Sequence, residues 1–181
     1  MAFDLLLQRH TTSDWSRDLP NALPLEWSPQ EIRALKLLEA STRAHVIDVV
    51  GWARQNGIPA RLYTQQVIYT PAEAAEFYKT GKSAIAPGRI DWHQVGRAYH
   101  LVIVDPKTGK KDVPAYGRVG AYVRKVGGEW LGDKTIMTPK GPMVDLAHYE
   151  YHPDWDIATY RRLPIAQEEL RAAQKRAVKY G

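Results

Sequence analysis

Two histidines, His93 and His100, stand seven positions apart on either side of a glycine in Asp91-Trp92-His93-Gln94-Val95-Gly96-Arg97-Ala98-Tyr99-His100, and a third closes Asp145-Leu146-Ala147-His148. A catalytic zinc ion takes three protein ligands and keeps one position open, and a nearby carboxylate can accept a proton from the attacking water. His93, His100 and His148 fit the ligand role, for one Zn2+ per chain, and Asp145 fits that of general base. The chain has no cysteine, so only His, Asp and Glu could hold a metal. Taken singly these signals are weak. A histidine pair at this spacing is more often structural, and an aspartate before a strand more often caps a backbone amide. The other histidines rank lower: His10 lies near the N-terminus, and His45 sits on a helix where packing is the ordinary role. On a strand, His148, Glu150 and His152 share one face by alternation, so His152 competes as a ligand.

In these segments the sequence resembles the zinc D-alanyl-D-alanine carboxypeptidases and L-alanyl-D-glutamate endopeptidases of peptidoglycan, a family that includes VanY-like enzymes and phage endolysins. The family carries Ser-x-His-x-x-Gly-x-Ala-x-Asp, matched by residues 91–100, and an acidic residue three before a histidine, matched by Asp145 and His148. Flanking pieces agree in order. Pro71-Ala72-Glu73 with Phe77-Tyr78-Lys79-Thr80-Gly81-Lys82 is similar to the family's helix and its Tyr-x-x-Gly-Arg ending. Gly128-Glu129-Trp130-Leu131-Gly132-Asp133 is similar to its Trp-Gly-Gly-Asp stretch, and His148-Tyr149-Glu150 to its His-Phe-Glu. The resemblance implies a zinc-dependent metallopeptidase acting on peptidoglycan stem peptides, of phage or prophage lysin type. It also implies a small antiparallel sheet with flanking helices, as in the hedgehog-like zinc D,D-peptidase fold.

Three positions depart from the family pattern. His100 replaces a ligand aspartate, Asp91 replaces a serine, and Tyr69 stands where an arginine is expected. Imidazole is as good a zinc ligand as carboxylate, although the exchange leaves the site one unit more positive. Asp91, and Glu150 beside His148, are candidates to hold imidazole tautomers from behind the ligands. The resemblance implies that the missing arginine grips a substrate carboxylate, which Tyr69 cannot do by charge. Either Arg61 or Arg89 reaches the cleft instead, or the substrate group there is neutral, which favours internal cleavage. Tyr69 is a substrate contact or simply an amphipathic strand end. A non-catalytic metal-binding relative, serving as a structural or wall-binding module, is the alternative that the three departures motivate.

The elements that must position these residues read as α+β in a single domain. Ser28-Pro29-Gln30-Glu31 starts a helix with a capping box, and apolar spacing carries it to Asn56-Gly57. Residues 58–68 read as a strand, and Thr70-Pro71-Ala72-Glu73 opens a second helix ending near Gly81. Residues 82–92 form a loop, and 98–104 a strand followed by the turn Asp105-Pro106-Lys107-Thr108-Gly109, suggesting a hairpin. A helix over 116–125, a strand over 148–152 and a helix from Pro164 toward Tyr180 complete the chain. The expected division is an N-terminal extension over 1–27, a zinc peptidase domain over 28–160 and a C-terminal helix over 161–181 belonging to the same domain.

The 181 residues, 44% of them apolar, suffice for one ordinary core. A net charge of +5 suits an anionic partner such as a wall polymer. The basic residues are scattered and accompany no nucleic-acid-binding motif, so no nucleic-acid partner is expected. No apolar run is long enough to span a bilayer. Met1–His10 lacks a basic stretch and a cleavage site, which points to synthesis in the cytoplasm without a signal peptide and action on the wall after release, or carriage in a virion. Oligomeric state has no signal in the sequence.

Overall fold

In the computed structural model, residues 27–65, 67–152 and 155–180 are described. His10 and all of the expected extension except Trp27 fall outside them. Helix α1 (Pro29–Leu37) begins at the expected capping box, with the Ser28 hydroxyl accepting from Glu31 N and the Glu31 carboxylate accepting from Ser28 N. Glu31 is buried and works further: its carboxylate pairs with Arg54 at 3.1 Å and accepts from Leu62 N at 3.0 Å. One glutamate thereby ties α1, α2 and the first strand together, with its charge compensated.

The single helix expected up to Asn56 is two. Leu38 turns extended, and Glu39 caps α2 (Ala40–Gln55) by accepting from Ser41 N and Thr42 N. A local cap thus overrides an apolar spacing that runs on unbroken. The strand expected over 58–68 shrinks to β1 (Arg61–Leu62), after which the chain leaves the sheet. Helix α3 (Pro71–Lys79) opens on the expected Thr70–Glu73 capping box. Next come α4 (Trp92–Val95), β2 (Ala98–Val102) and α5 (Val113–Lys125). The turn after β2 exists, with Asp105 N donating to Lys110 O and a lone bridge from Val104 to Lys111, but Asp112 caps α5 there and the expected hairpin strand gives way to helix.

Strands β3 (Glu129–Trp130) and β6 (His148–Glu150) complete an antiparallel sheet of order β1-β2-β6-β3. Between them, β4 (Ile136–Thr138) and β5 (Gly141–Met143) form a separate hairpin. The short α6 (Ile157–Tyr160) precedes α7 (Pro164–Tyr180), which spans the expected C-terminal helix. The α+β single-domain class is as expected, with a smaller sheet and more short elements.

Side-chain alternation divides the sheet between two environments. Tyr99, Leu101, Trp130 and Tyr149 face the main core with Leu35, Val46, Val49, Val119 and Val123. Ala98 joins a second cluster with Ile90, Trp92, Val95, Tyr160 and Ala166. Helix α7 docks by charge as well as burial. Arg97 forms a bidentate pair with Glu169, both contacts at 2.7 Å, and Arg176 donates to Leu37 O and Val95 O.

Candidate metal centre

The register of β2 and β6 puts His100 directly opposite His148, with Tyr99 opposite Tyr149 and Ala98 opposite Glu150. Directly opposed residues on one sheet face bring their side chains into contact. Here the His100 and His148 rings meet edge to face with centroids 5.0 Å apart. His93 arrives from α4, whose N-cap Asp91 accepts from Gln94 N at 2.9 Å. The helix ends after one turn at Gly96, in a left-handed conformation (φ 78°), and a Cβ there would lie 2.9 Å from Glu39 N. Positive φ and close backbone approach together require glycine at this corner between His93 and β2.

The result is compact. The His93 ring lies 4.7 Å from His100 and 4.9 Å from His148, and all three offer ligand atoms within 4.8 Å of one another. In each ring one nitrogen is held and the other left over. His93 Nδ1 faces Val67 O at 3.2 Å, leaving a buried Nε2 without a partner. His100 Nε2 meets Asp145 Oδ2 at 3.3 Å, leaving a buried Nδ1 without a partner. His148 Nε2 meets Glu150 Oε1 at 2.9 Å. Buried imidazole nitrogens without hydrogen bonds are costly unless something else takes their lone pairs. Burial and the two neighbouring imidazoles hold His93 well below its ordinary pKa, and burial lowers His100 despite Asp145. His93 and His100 are thus kept neutral, as metal ligation requires, and with His148 beside them the donor set fits a zinc ion.

Asp145 is partly exposed and lines the cleft above this cluster. Its Oδ1 accepts from Ala147 N at 3.1 Å, so the amide-capping role and the place beside the histidines coexist. Burial opposes its ionisation, but His100 and His148 outweigh it and hold the carboxyl below its usual range.

Asp91 and Tyr69, two of the departures from the family pattern, bond to each other: the Tyr69 hydroxyl donates to Asp91 Oδ2 at 2.6 Å. The Tyr69 ring also lies 5.2 Å from that of His93. Tyr69 lines the cleft, but its hydroxyl is committed to Asp91. Arg61 and Arg89 do not line the cleft. Alternation on β1 turns Leu62 inward and Arg61 out to solvent, and Arg89 is exposed in the loop before α4, near Arg161.

Glu150 bridges two histidines, its Oε1 on His148 and its Oε2 on His152 Nε2 at 2.9 Å. His152 Nδ1 faces Trp155 O at 2.9 Å, so both ring nitrogens point at acceptors and both carry protons. Burial opposes that charge, yet hydrogen bonds to Glu129 and Glu150 push His152 up to about 9. His152 also stacks on Trp92 at 4.3 Å. Glu129, Glu150 and His152 form a second group of ligand-type atoms, but a charged imidazole between two carboxylates already satisfies it. Glu129 was not foreseen as part of the site. It enters through the pairing of β3 with β6, which puts it opposite Glu150, and a two-residue strand leaves no periodic signal.

The histidines line an open cleft of about 1170 Å3, together with Phe77, residues 81–85, Ile136, Met143 and Val144. No helix among the described residues is long and apolar enough to cross a membrane.

No protein-family model and no curated protein sequence matches the chain. Among solved structures it is similar to the L-Ala D-Glu endopeptidase ChiX of Serratia marcescens, with a TM-score of 0.54 and 15% identity over 74% of this chain and 95% of that one. A second similar structure is the LD-carboxypeptidase LdcB, with a TM-score of 0.43 and 16% identity over 64% of each chain. The likeness to ChiX is one of fold.

Proposed function

We propose that the chain is a zinc-dependent peptidase that hydrolyses an amide bond in the stem peptides of peptidoglycan. The observation that carries this reading is the convergence of three imidazoles, from α4, β2 and β6, in an open cleft that Asp145 also lines. His93, His100 and His148 would hold the ion. Bound zinc supplies Lewis acidity toward a carbonyl and toward water. Val67 O and Glu150 fix the ring orientations of His93 and His148, as groups behind metal ligands do. Asp145, ionised at neutral pH, takes the proton of the attacking water and returns it to the leaving amine. Tyr69 donates to Asp91, the N-cap of α4, and so braces the helix that carries His93.

The substrate assignment draws on the motif resemblance, on the fold shared with ChiX and on a net charge of +5 that suits an anionic wall. Within that class we place the protein with phage or prophage lysins, acting on the wall after release or from a virion. Digestion of purified sacculi, followed by mass spectrometry of the released fragments, tests the reading. Peptide cleavage that requires zinc and vanishes in His148→Ala is expected. Intact sacculi in the presence of a zinc-loaded, folded protein would overturn it.

A further inference from the structure

The charges lining the cleft do not all cancel. Asp91 is bonded to Tyr69, Asp145 to His100, and Glu150 to His148 and His152, while Asp156 caps α6 by accepting from Ala158 N and Thr159 N. Among the cations, Arg124 pairs with Asp133, and Lys134 with Glu129. Lys82 also lines the cleft, is exposed, and has no acidic partner among the described residues.

Its backbone location is well fixed. Lys82 N donates to Phe77 O at 2.8 Å, and the Phe77 ring meets Tyr69 edge to face at 5.2 Å, which connects Lys82 through Tyr69 to His93. The preceding Gly81 is left-handed (φ 74°), and a Cβ on it would lie 2.7 Å from both Cβ and Cγ of Lys140. The stem of Lys140, at the tip between β4 and β5, therefore rests on Gly81. The β4–β5 hairpin thus touches the segment that follows α3, next to Lys82. Lys140 is likewise exposed and without an acidic partner among the described residues.

We infer that Lys82 is a specificity-determining residue that takes a carboxylate of the substrate peptide at the rim of the cleft, with Lys140 adding positive charge nearby. The inference rests on the peptidase reading for its ligand class. It gives the cleft an anion-binding group even though Tyr69 has no charge and Arg61 and Arg89 point elsewhere. An exposed ammonium attracts a carboxylate modestly and through screened charge, so the expected gain is about two- to fivefold in affinity and sensitive to salt.

The test is calorimetric titration of the full-length chain with N-acetyl-L-Ala-γ-D-Glu-L-Lys-D-Ala, with its C-terminal amide, and with the form carrying D-isoglutamine in place of D-glutamate. Mass spectrometry of the same mixtures reads whether a bond is cut, so the peptidase reading is scored separately from the affinities. The free acid should bind about two- to fivefold tighter than one of the two amidated forms, and which form is weaker identifies the carboxylate. Lys82→Met should abolish the difference, Lys82→Arg should keep it, and added salt should shrink it. Because Lys82 is exposed, both variants should melt at the wild-type temperature. Equal binding of the three peptides by wild type, binding of none, or discrimination that persists in Lys82→Met would overturn the inference, whether or not cleavage is observed.

Discussion

Two glycines in α5, three residues apart, should respond to alanine with opposite signs. At an exposed helix position, alanine is favoured over glycine by about 1 kcal/mol, because it costs less backbone entropy to order. A Cβ at Gly117 meets nothing within 4 Å, so Gly117→Ala should stabilise the protein by about 0.5 to 1 kcal/mol. A Cβ at Gly120 would lie 2.2 Å from Trp130 Cε3 and 2.3 Å from Cδ2. The indole cannot yield easily. A Cβ on Gly132 would lie 2.3 Å from Trp130 Cε2, the ring N–H donates to Leu146 O at 2.9 Å, and the backbone is paired with Tyr149 in β6. Overlap of this depth belongs at the upper end of overpacking costs, about 3 kcal/mol, so Gly120→Ala should lose about 2 kcal/mol net. Urea denaturation of the two variants beside wild type reads both effects, with an expected separation of about 3 kcal/mol. Because Trp130 props the carbonyl next to Asp145, Gly120→Ala should also lower activity. Equal stabilisation by the two substitutions would refute the packing around Trp130 described above.

Further outcomes follow from the site and the core. Burial alone lowers His45 from 6.5 to about 4. The unfolded chain therefore takes up a proton that the folded protein refuses, and stability should fall by about 3 kcal/mol as pH drops from 6.5 to 4. His45→Gln should flatten that acid limb in urea midpoints collected across pH, and an unchanged slope would contradict the assignment. Asp145→Asn should lower kcat about a hundred- to ten-thousand-fold while zinc content stays at the wild-type level; loss of zinc along with activity would make Asp145 a support for His100 instead of a base. Tyr69→Phe and Asp91→Ser should each cost about 1 to 3 kcal/mol, and the double variant should cost less than their sum by at least about 1 kcal/mol. Additive losses would mean that the 2.6 Å bond contributes nothing.

The convergence at the candidate site was legible because its residues lie in short segments whose internal spacing carries the geometry. Asp145 and His148 are three apart on the approach to one strand, and Gly96 marks the corner that returns His93 toward His100. Period-two alternation also put His148, Glu150 and His152 together, and all three line the cleft. What was not legible depends on contacts between distant segments. The opposition of His100 and His148 is a matter of strand register, which no local pattern specifies. The break at Glu39 depends on one side chain folding back on Ser41 and Thr42, against an apolar spacing that continues. The one-turn helix carrying His93 did have a signal, since Asp91-Trp92-His93-Gln94 is itself a capping box. Read as a loop, the segment offers Asp91 to an imidazole; in the structure Asp91 caps the helix and accepts from Tyr69. The exchange of arginine for tyrosine at 69 looks like a lost substrate contact in the linear sequence. Beside Asp91 it is half of a hydrogen-bonded pair, and the chain after β1 leaves the sheet to deliver Val67 O and Tyr69 to His93.

The most direct test of the metal centre is anomalous diffraction at the zinc edge from crystals of the full-length protein grown with zinc. A single strong peak should lie among His93, His100 and His148, with Asp145 facing its open side. A map without density there, or with its only peak between Glu129, Glu150 and His152, would contradict the assignment of these three imidazoles as the ligands.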